Sequence, residues 1–99
     1  MSSQRLRFTN TAAAEFRAAI VWYNEQRNGL GLELATAIDA ALESIKRNPL
    51  LYSIAFDEIR RCSLRKFPFG IFYSIDPEEI VIVGVYHVKR DSRKLRTRR

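Results

Sequence analysis

Apolar residues recur along this chain with two different periods, and the change of period divides it into a short strand, two helices and a sheet. Gln4 to Phe8 alternates polar and apolar residues, with Leu6 and Phe8 on one face, as a half-buried strand does. Thr9-Asn10-Thr11 then supplies helix N-cap residues, so a helix is predicted to start near Asn10, with Glu15 entering the first turns where a carboxylate suits the dipole. Phe16, Ile20 and Tyr23 follow at helical spacing, and Asn28-Gly29 ends the helix because glycine takes the left-handed conformation cheaply. Leu30, Leu34, Ile38, Ala41, Leu42 and Ile45 form a second helical series, which runs to Lys46-Arg47 and is broken by Asn48-Pro49. The rest reads as strands over Arg60 to Lys66, Phe69 to Ile75 and Ile80 to Tyr86, the last two joined by a type I turn at Asp76-Pro77-Glu78-Glu79. The order β-α-α-β-β-β predicts an α+β fold, with an N-terminal helical hairpin packed on one face of a small antiparallel sheet.

Length and charge narrow the picture. Ninety-nine residues with 46% hydrophobic content suit a single domain over 1–99. The single cysteine, Cys62, rules out an internal disulfide and a cysteine zinc site, and points to a reducing cytoplasm. No apolar run approaches the roughly 20 residues that span a bilayer, and MSSQRLRF lacks the apolar stretch of a secretory signal, so a soluble intracellular protein with no membrane partner is expected. The net charge of +6 is unevenly placed: the first 57 residues are neutral, and the segment from His87 to Arg99 by itself carries +6. Such a basic tail, at about 88–99, seeks an anionic partner, whether nucleic acid, an acidic protein segment or a membrane surface.

Three groups of residues are candidates for function. Strand alternation places Arg61 and Arg65 on one face and Arg60 and Lys66 on the other, either as an anion-binding surface or as a solvated edge strand guarded against aggregation by its charges. His87-Val88-Lys89-Arg90-Asp91 follows the most hydrophobic strand, where a rigid element hands over to the tail. His87 has no cysteine or serine nucleophile as an evident partner, so it reads as a structural histidine or as an acid-base candidate. Arg93, Lys94, Arg96, Arg98 and Arg99 form the tail, either a disordered basic extension or a phosphate-contacting one. The aromatic set Phe67, Phe69, Phe72, Tyr73 and Tyr86 is expected in the core rather than stacking on bases. A phosphate loop, a paired-carboxylate motif and metal-ligand spacing are all missing, so no cofactor, metal or small-molecule substrate is expected.

The ordered set Trp22-Tyr23-Asn24-Glu25-Gln26, Gly29-Leu30-Gly31, Asn48-Pro49, Arg60-Arg61, Phe67-Pro68-Phe69-Gly70-Ile71-Phe72-Tyr73 and His87-Val88-Lys89-Arg90-Asp91 resembles the RelE/ParE superfamily of type II toxins over roughly residues 8 to 96. The resemblance implies a bacterial, plasmid-stabilisation type of toxin, neutralised by a cognate antitoxin whose C-terminal segment wraps it. It also implies one of two targets: the ParE branch poisons DNA gyrase, whereas the RelE branch cuts messenger RNA on the ribosome. In RelE-like enzymes an arginine follows the aromatic residue that opens the third strand of the family's pattern, and here that position is Gly70; the position of their C-terminal tyrosine is Arg96. Arg61 and Arg90 match basic positions of the ribonucleases, but such residues occur in the ParE branch too.

Chemistry weighs the same way. Metal-free RNA cleavage needs the 2'-hydroxyl deprotonated, the leaving oxygen protonated and the phosphorane charge stabilised. Arginines serve the last role and are poor bases, leaving His87 to move the protons with Arg61 and Arg90 on the phosphate. The ParE-like reading instead makes Arg60, Arg61, Arg65, Lys66, Lys89, Arg90, Arg93 and Arg96 the surface that binds gyrase or antitoxin, with no catalysis. A non-toxic nucleic-acid-binding or regulatory module is the third reading, motivated by the tail.

Overall fold

The computed structural model describes residues 5–87 of the chain. Its elements are β1 (Arg5–Phe8), α1 (Asn10–Gln26), α2 (Leu30–Arg47), β2 (Ile54–Phe56), β3 (Ile59–Ser63), β4 (Phe69–Ile75) and β5 (Glu79–His87), and the strands form one sheet in the order β1-β5-β4-β3-β2. The helical hairpin covers one face of this sheet, as the α+β expectation required.

Two features differ from the expectation. A fifth strand, β2, forms the edge and joins β3 through a two-residue turn in which Asp57 takes φ 51°. Ile54–Phe56 is too short to show a period, and its turn uses Asp57-Glu58 in place of a glycine signal. The sheet is also mixed, because β1 runs parallel to β5 with Leu6 opposite Ile80 and Phe8 opposite Ile82. A parallel pair needs a long crossover, and the helical hairpin with the following strands provides it.

Local interactions explain the helices. Thr9 Oγ1 accepts from Ala12 N at 3.0 Å and caps α1, while Thr9 N donates to Ile82 O at 3.0 Å and ties the cap to the sheet. Glu15, expected to serve the helix dipole, reaches across instead: its carboxylate accepts from Val85 N at 3.0 Å, beyond the last β1–β5 pair. At the hairpin Gly29 has φ 93°, a conformation that other residues adopt at a cost. Asn24 Oδ1 accepts from Gly29 N at 2.9 Å and Gly31 N at 3.3 Å, doing for α2 what an N-cap side chain does. Gly31 sits so close to α1 that an added Cβ would lie 2.6 Å from Ile20 O.

The main core lies between hairpin and sheet. Leu34, Ile38 and Ile45 of α2 are buried against Ile71 and Tyr73 of β4 and Ile80, Ile82 and Val85 of β5, each worth about 1.5–3 kcal/mol if fully withdrawn from water. Tyr23 stands edge-on to Phe67 and Phe69, with ring centroids at 5.3 and 5.8 Å. A smaller cluster, Phe72 and Tyr86 with Phe56, Ile59 and Val83 against them, occupies the opposite face. The expected aromatic set is therefore core, divided between two faces. Val83 is the extra residue of a bulge, since Phe72 pairs with Gly84 and the next residue, Tyr73, with Ile82. No helix among the described residues is long and apolar enough to cross a membrane.

Gly31→Ala is expected to lower unfolding stability by about 1–3 kcal/mol through the clash with the Ile20 carbonyl, and Asn24→Ala by about 1–2 kcal/mol through two orphaned amides. Urea titration followed by circular dichroism measures both. A Gly31→Ala protein as stable as the parent would show that the helices separate without cost.

Candidate functional site

The basic residues of the β3 region start from one strand but end in three different environments. Cys62 points into the main core, so alternation puts Arg60 on the helix side and Arg61 on the open side. Arg60 Nη1 donates to the Tyr52 carbonyl at 2.6 Å, which pins the segment between α2 and β2. The same segment is held by the Tyr73 hydroxyl, which donates to Pro49 O at 2.6 Å, and by the Ser44 and Tyr52 hydroxyls, 2.6 Å apart. Burial pushes the Tyr73 phenol up to about 12, against the pull of the Arg60 charge and with Cys62 and Tyr52 adding to the rise. Burial likewise pushes the Cys62 thiol up, partly countered by a hydrogen bond with Tyr52.

Arg61 is exposed on the open face and pairs with Phe72 across the β3–β4 ladder. Its aliphatic stem lies over Gly70, where an added Cβ would be 3.1 Å from Arg61 Cγ and 3.2 Å from Cδ. Gly84 likewise makes room for the Tyr86 ring, 2.7 Å from where its Cβ would be. On this face Arg61 is exposed, while Phe72 and Tyr86 beside it are buried, with Phe56, Ile59 and Val83 packed against them.

Arg65 and Lys66 do not continue the strand alternation. β3 ends at Ser63, and both cations sit in the β3–β4 loop, where they line a groove against α2. The loop closes through Leu64 N to Phe69 O at 2.9 Å and Phe69 N to Phe67 O at 2.8 Å. The run Phe67-Pro68 hides this exit from the strand in the sequence, since the bend follows from burying Phe67.

His87 ends β5 opposite Phe69, with ring centroids 5.7 Å apart. Phe69 belongs to the core on the helix side, so His87 and Arg61 project from opposite faces of the sheet. Lys89, Arg90, Arg93 and Arg96 lie outside the described residues. Among the described residues no group of three or more His, Cys, Asp or Glu side chains is placed to hold a metal ion.

A two-helix hairpin on this sheet, with these cations on its far strands, can be compared with known proteins. The family model described as ParE toxin of type II toxin-antitoxin system, parDE, matches residues 6–92. This chain belongs to the ParE toxin family. Its fold also matches solved structures: a chain of the chromosomal ParDE system from P. aeruginosa has a TM-score of 0.76 at 18% identity, with 86% of this chain and 96% of that one covered. A chain of the RelBE toxin-antitoxin complex from Mycobacterium tuberculosis gives 0.61 at 22% identity, covering 88% and 93%. The YoeB dimer from Staphylococcus aureus gives 0.61 at 19% identity, covering 87% and 99%. At these identities the likenesses speak for the fold. No curated protein sequence matches significantly.

Sequence reasoning missed the groove and the Glu15 contact with β5. The groove has one legible signal, the alanines at 37, 40 and 41 on one helical face; the Glu15 contact has none, because it spans 70 residues of sequence.

Two outcomes test this assignment of roles. Arg60→Ala is expected to cost about 1.5–3 kcal/mol of stability, the loss of a charge-assisted hydrogen bond, while Arg61→Ala changes it by less than about 0.5 kcal/mol; equal costs would refute the division. A phenol raised from about 10 leaves stability intact below that pH and removes it as pH climbs from there to about 12, because the unfolded chain ionises first. Urea midpoints should fall across that window, and fall less in Tyr73→Phe.

Proposed function

We propose that this toxin-family protein acts by inhibiting DNA gyrase and is neutralised by a cognate antitoxin, rather than by cutting messenger RNA. The observation that carries the reading is the arrangement at Gly70. The stem of Arg61 fills the space over that glycine, at the position where the ribonuclease branch carries an arginine, so only one of the two cations expected there is provided. His87, which would have to move both protons, lies on the face away from Arg61. A single phosphodiester on the open face would meet a charge stabiliser without an acid-base partner.

The open face is instead suited to holding a protein surface. Arg61 is exposed beside the buried apolar cluster of Phe72 and Tyr86, and an arginine held on an apolar base is a frequent anchor of protein interfaces. The cations of the C-terminal segment, Lys89, Arg90, Arg93 and Arg96, add to this surface in the reading, and the cytoplasm is where it would act. The ParDE and RelBE neighbours come from toxin-antitoxin systems, which supports an antitoxin as the physiological partner.

Inducing the protein in bacteria and extracting DNA and RNA from the same arrested cells tests the target. The expected result is filamentation, SOS induction and gyrase-linked DNA breaks, with loss of supercoiling by purified gyrase in the presence of the protein. Codon-positioned cuts in messages with intact DNA would reverse the assignment and make Arg61, His87 and Arg90 catalytic candidates. Arg90→Ala, or removal of the residues from Arg93 onward, is expected to abolish arrest while leaving the circular dichroism spectrum unchanged; arrest by the folded truncated protein would remove the tail from the mechanism.

A further inference from the structure

A groove of about 330 Å³ lies between α2 and the β3–β4 loop, away from the open sheet face. Its floor includes Ala37, Ala40 and Ala41, which share one side of α2 because residues three and four apart are neighbours on a helix. With only methyl groups there, the helix surface is low enough to admit another side chain. At the inner end the Ser44 and Tyr52 hydroxyls bond each other, so the polar attraction of the groove comes from its rim. That rim is Arg65 and Lys66, both exposed. Neither takes part in any of the three ion pairs found among the described residues, Arg7 with Glu79, Arg27 with Glu33 and Lys46 with Glu43.

Loop geometry fixes the backbone that carries these two cations. Leu64 N donates to Phe69 O and Phe69 N to Phe67 O, closing the loop, and the Phe67 ring, packed edge-on against Tyr23, anchors it. The groove therefore combines a preformed apolar floor with two exposed positive charges that stand outside the ion pairs of the described residues.

The geometry points to an acidic peptide segment of the antitoxin as the occupant: an apolar side chain seats on the alanine floor while a neighbouring carboxylate pairs with Arg65 and Lys66. The proposal rests on the toxin-antitoxin reading above and adds where the antitoxin is held. Complementarity of charge selects this occupant. The chain's own terminal segment is strongly basic and is repelled by the rim. A nucleic acid laid over the groove would meet the exposed Glu43 of α2, which neighbours Ala40 at i,i+3. A partner that covers Arg65 and Lys66 leaves Arg61, exposed on the opposite face of the sheet, accessible, so antitoxin capture and target binding use separate surfaces.

The test is calorimetric titration of the purified protein with the full-length product of the neighbouring antitoxin gene, using the parent and three folded variants. Arg65→Glu/Lys66→Glu is expected to weaken binding about tenfold or more, with a smaller salt dependence, and Ala40→Trp, which fills the floor, to weaken it comparably. Arg17→Glu, an exposed charge reversal on α1, should change it by less than about threefold. A photo-crosslinking residue at position 66 should capture the antitoxin through one of its acidic segments. Groove variants that bind like the parent, with no crosslink from position 66, would overturn the groove while leaving the toxin reading standing. A parent protein that fails to bind the neighbouring gene product at all would overturn the antitoxin reading on which the groove rests.

Discussion

Burial of β4 and β5 on both sides is the constraint around which the molecule is arranged. The helical hairpin covers one face of these strands, and the Phe72–Tyr86 cluster occupies the other. An unpaired charge in either place would carry a desolvation cost of several kcal/mol. Accordingly β4 has no charged residue, and the only ionisable positions of β5 besides Tyr86 are Glu79 and His87 at its two ends. Among the described residues of the strands and the loops between them, the cations fall on β1, β3 and the β3–β4 loop.

The same constraint separates the candidate residues. A strand offers alternate side chains to opposite faces, so Arg60 and Arg61, adjacent in sequence, are committed to different roles. Arg60 turns under α2 and holds the Tyr52 carbonyl; Arg61 turns outward and uses the space that Gly70 leaves. His87 is assigned to the helix side by its place opposite Phe69. These side choices support the proposal against messenger cleavage, because metal-free cleavage needs its charge stabiliser and its proton carrier on the same side of one phosphate.

Helix placement is decided by a small contact. Asn24 gathers the amides of Gly29 and Gly31, and the missing side chain of Gly31 lets α2 settle on the Ile20 carbonyl. That settles where the alanine face of α2 lies relative to the β3–β4 loop, and so whether a groove exists between them. Among solved structures that share the fold at under a quarter identity, such a groove can be opened or filled by changing three small residues, which is a simple route to partner specificity.

Periodicity, capping residues and turn chemistry were enough to read both helices to within a residue or two, the two long strands and the helix-on-sheet arrangement, because those features are set by neighbours close along the chain. The family was legible in the order of the motifs, which reports the fold as a whole. The edge strand β2, the parallel β1–β5 pairing, the exit of Arg65 and Lys66 from the strand and the reach of Glu15 to Val85 were decided only by the tertiary structure. Each depends on a partner distant in sequence or on the burial of a single ring such as Phe67, and no local pattern encodes which of several compatible partners the packed chain selects.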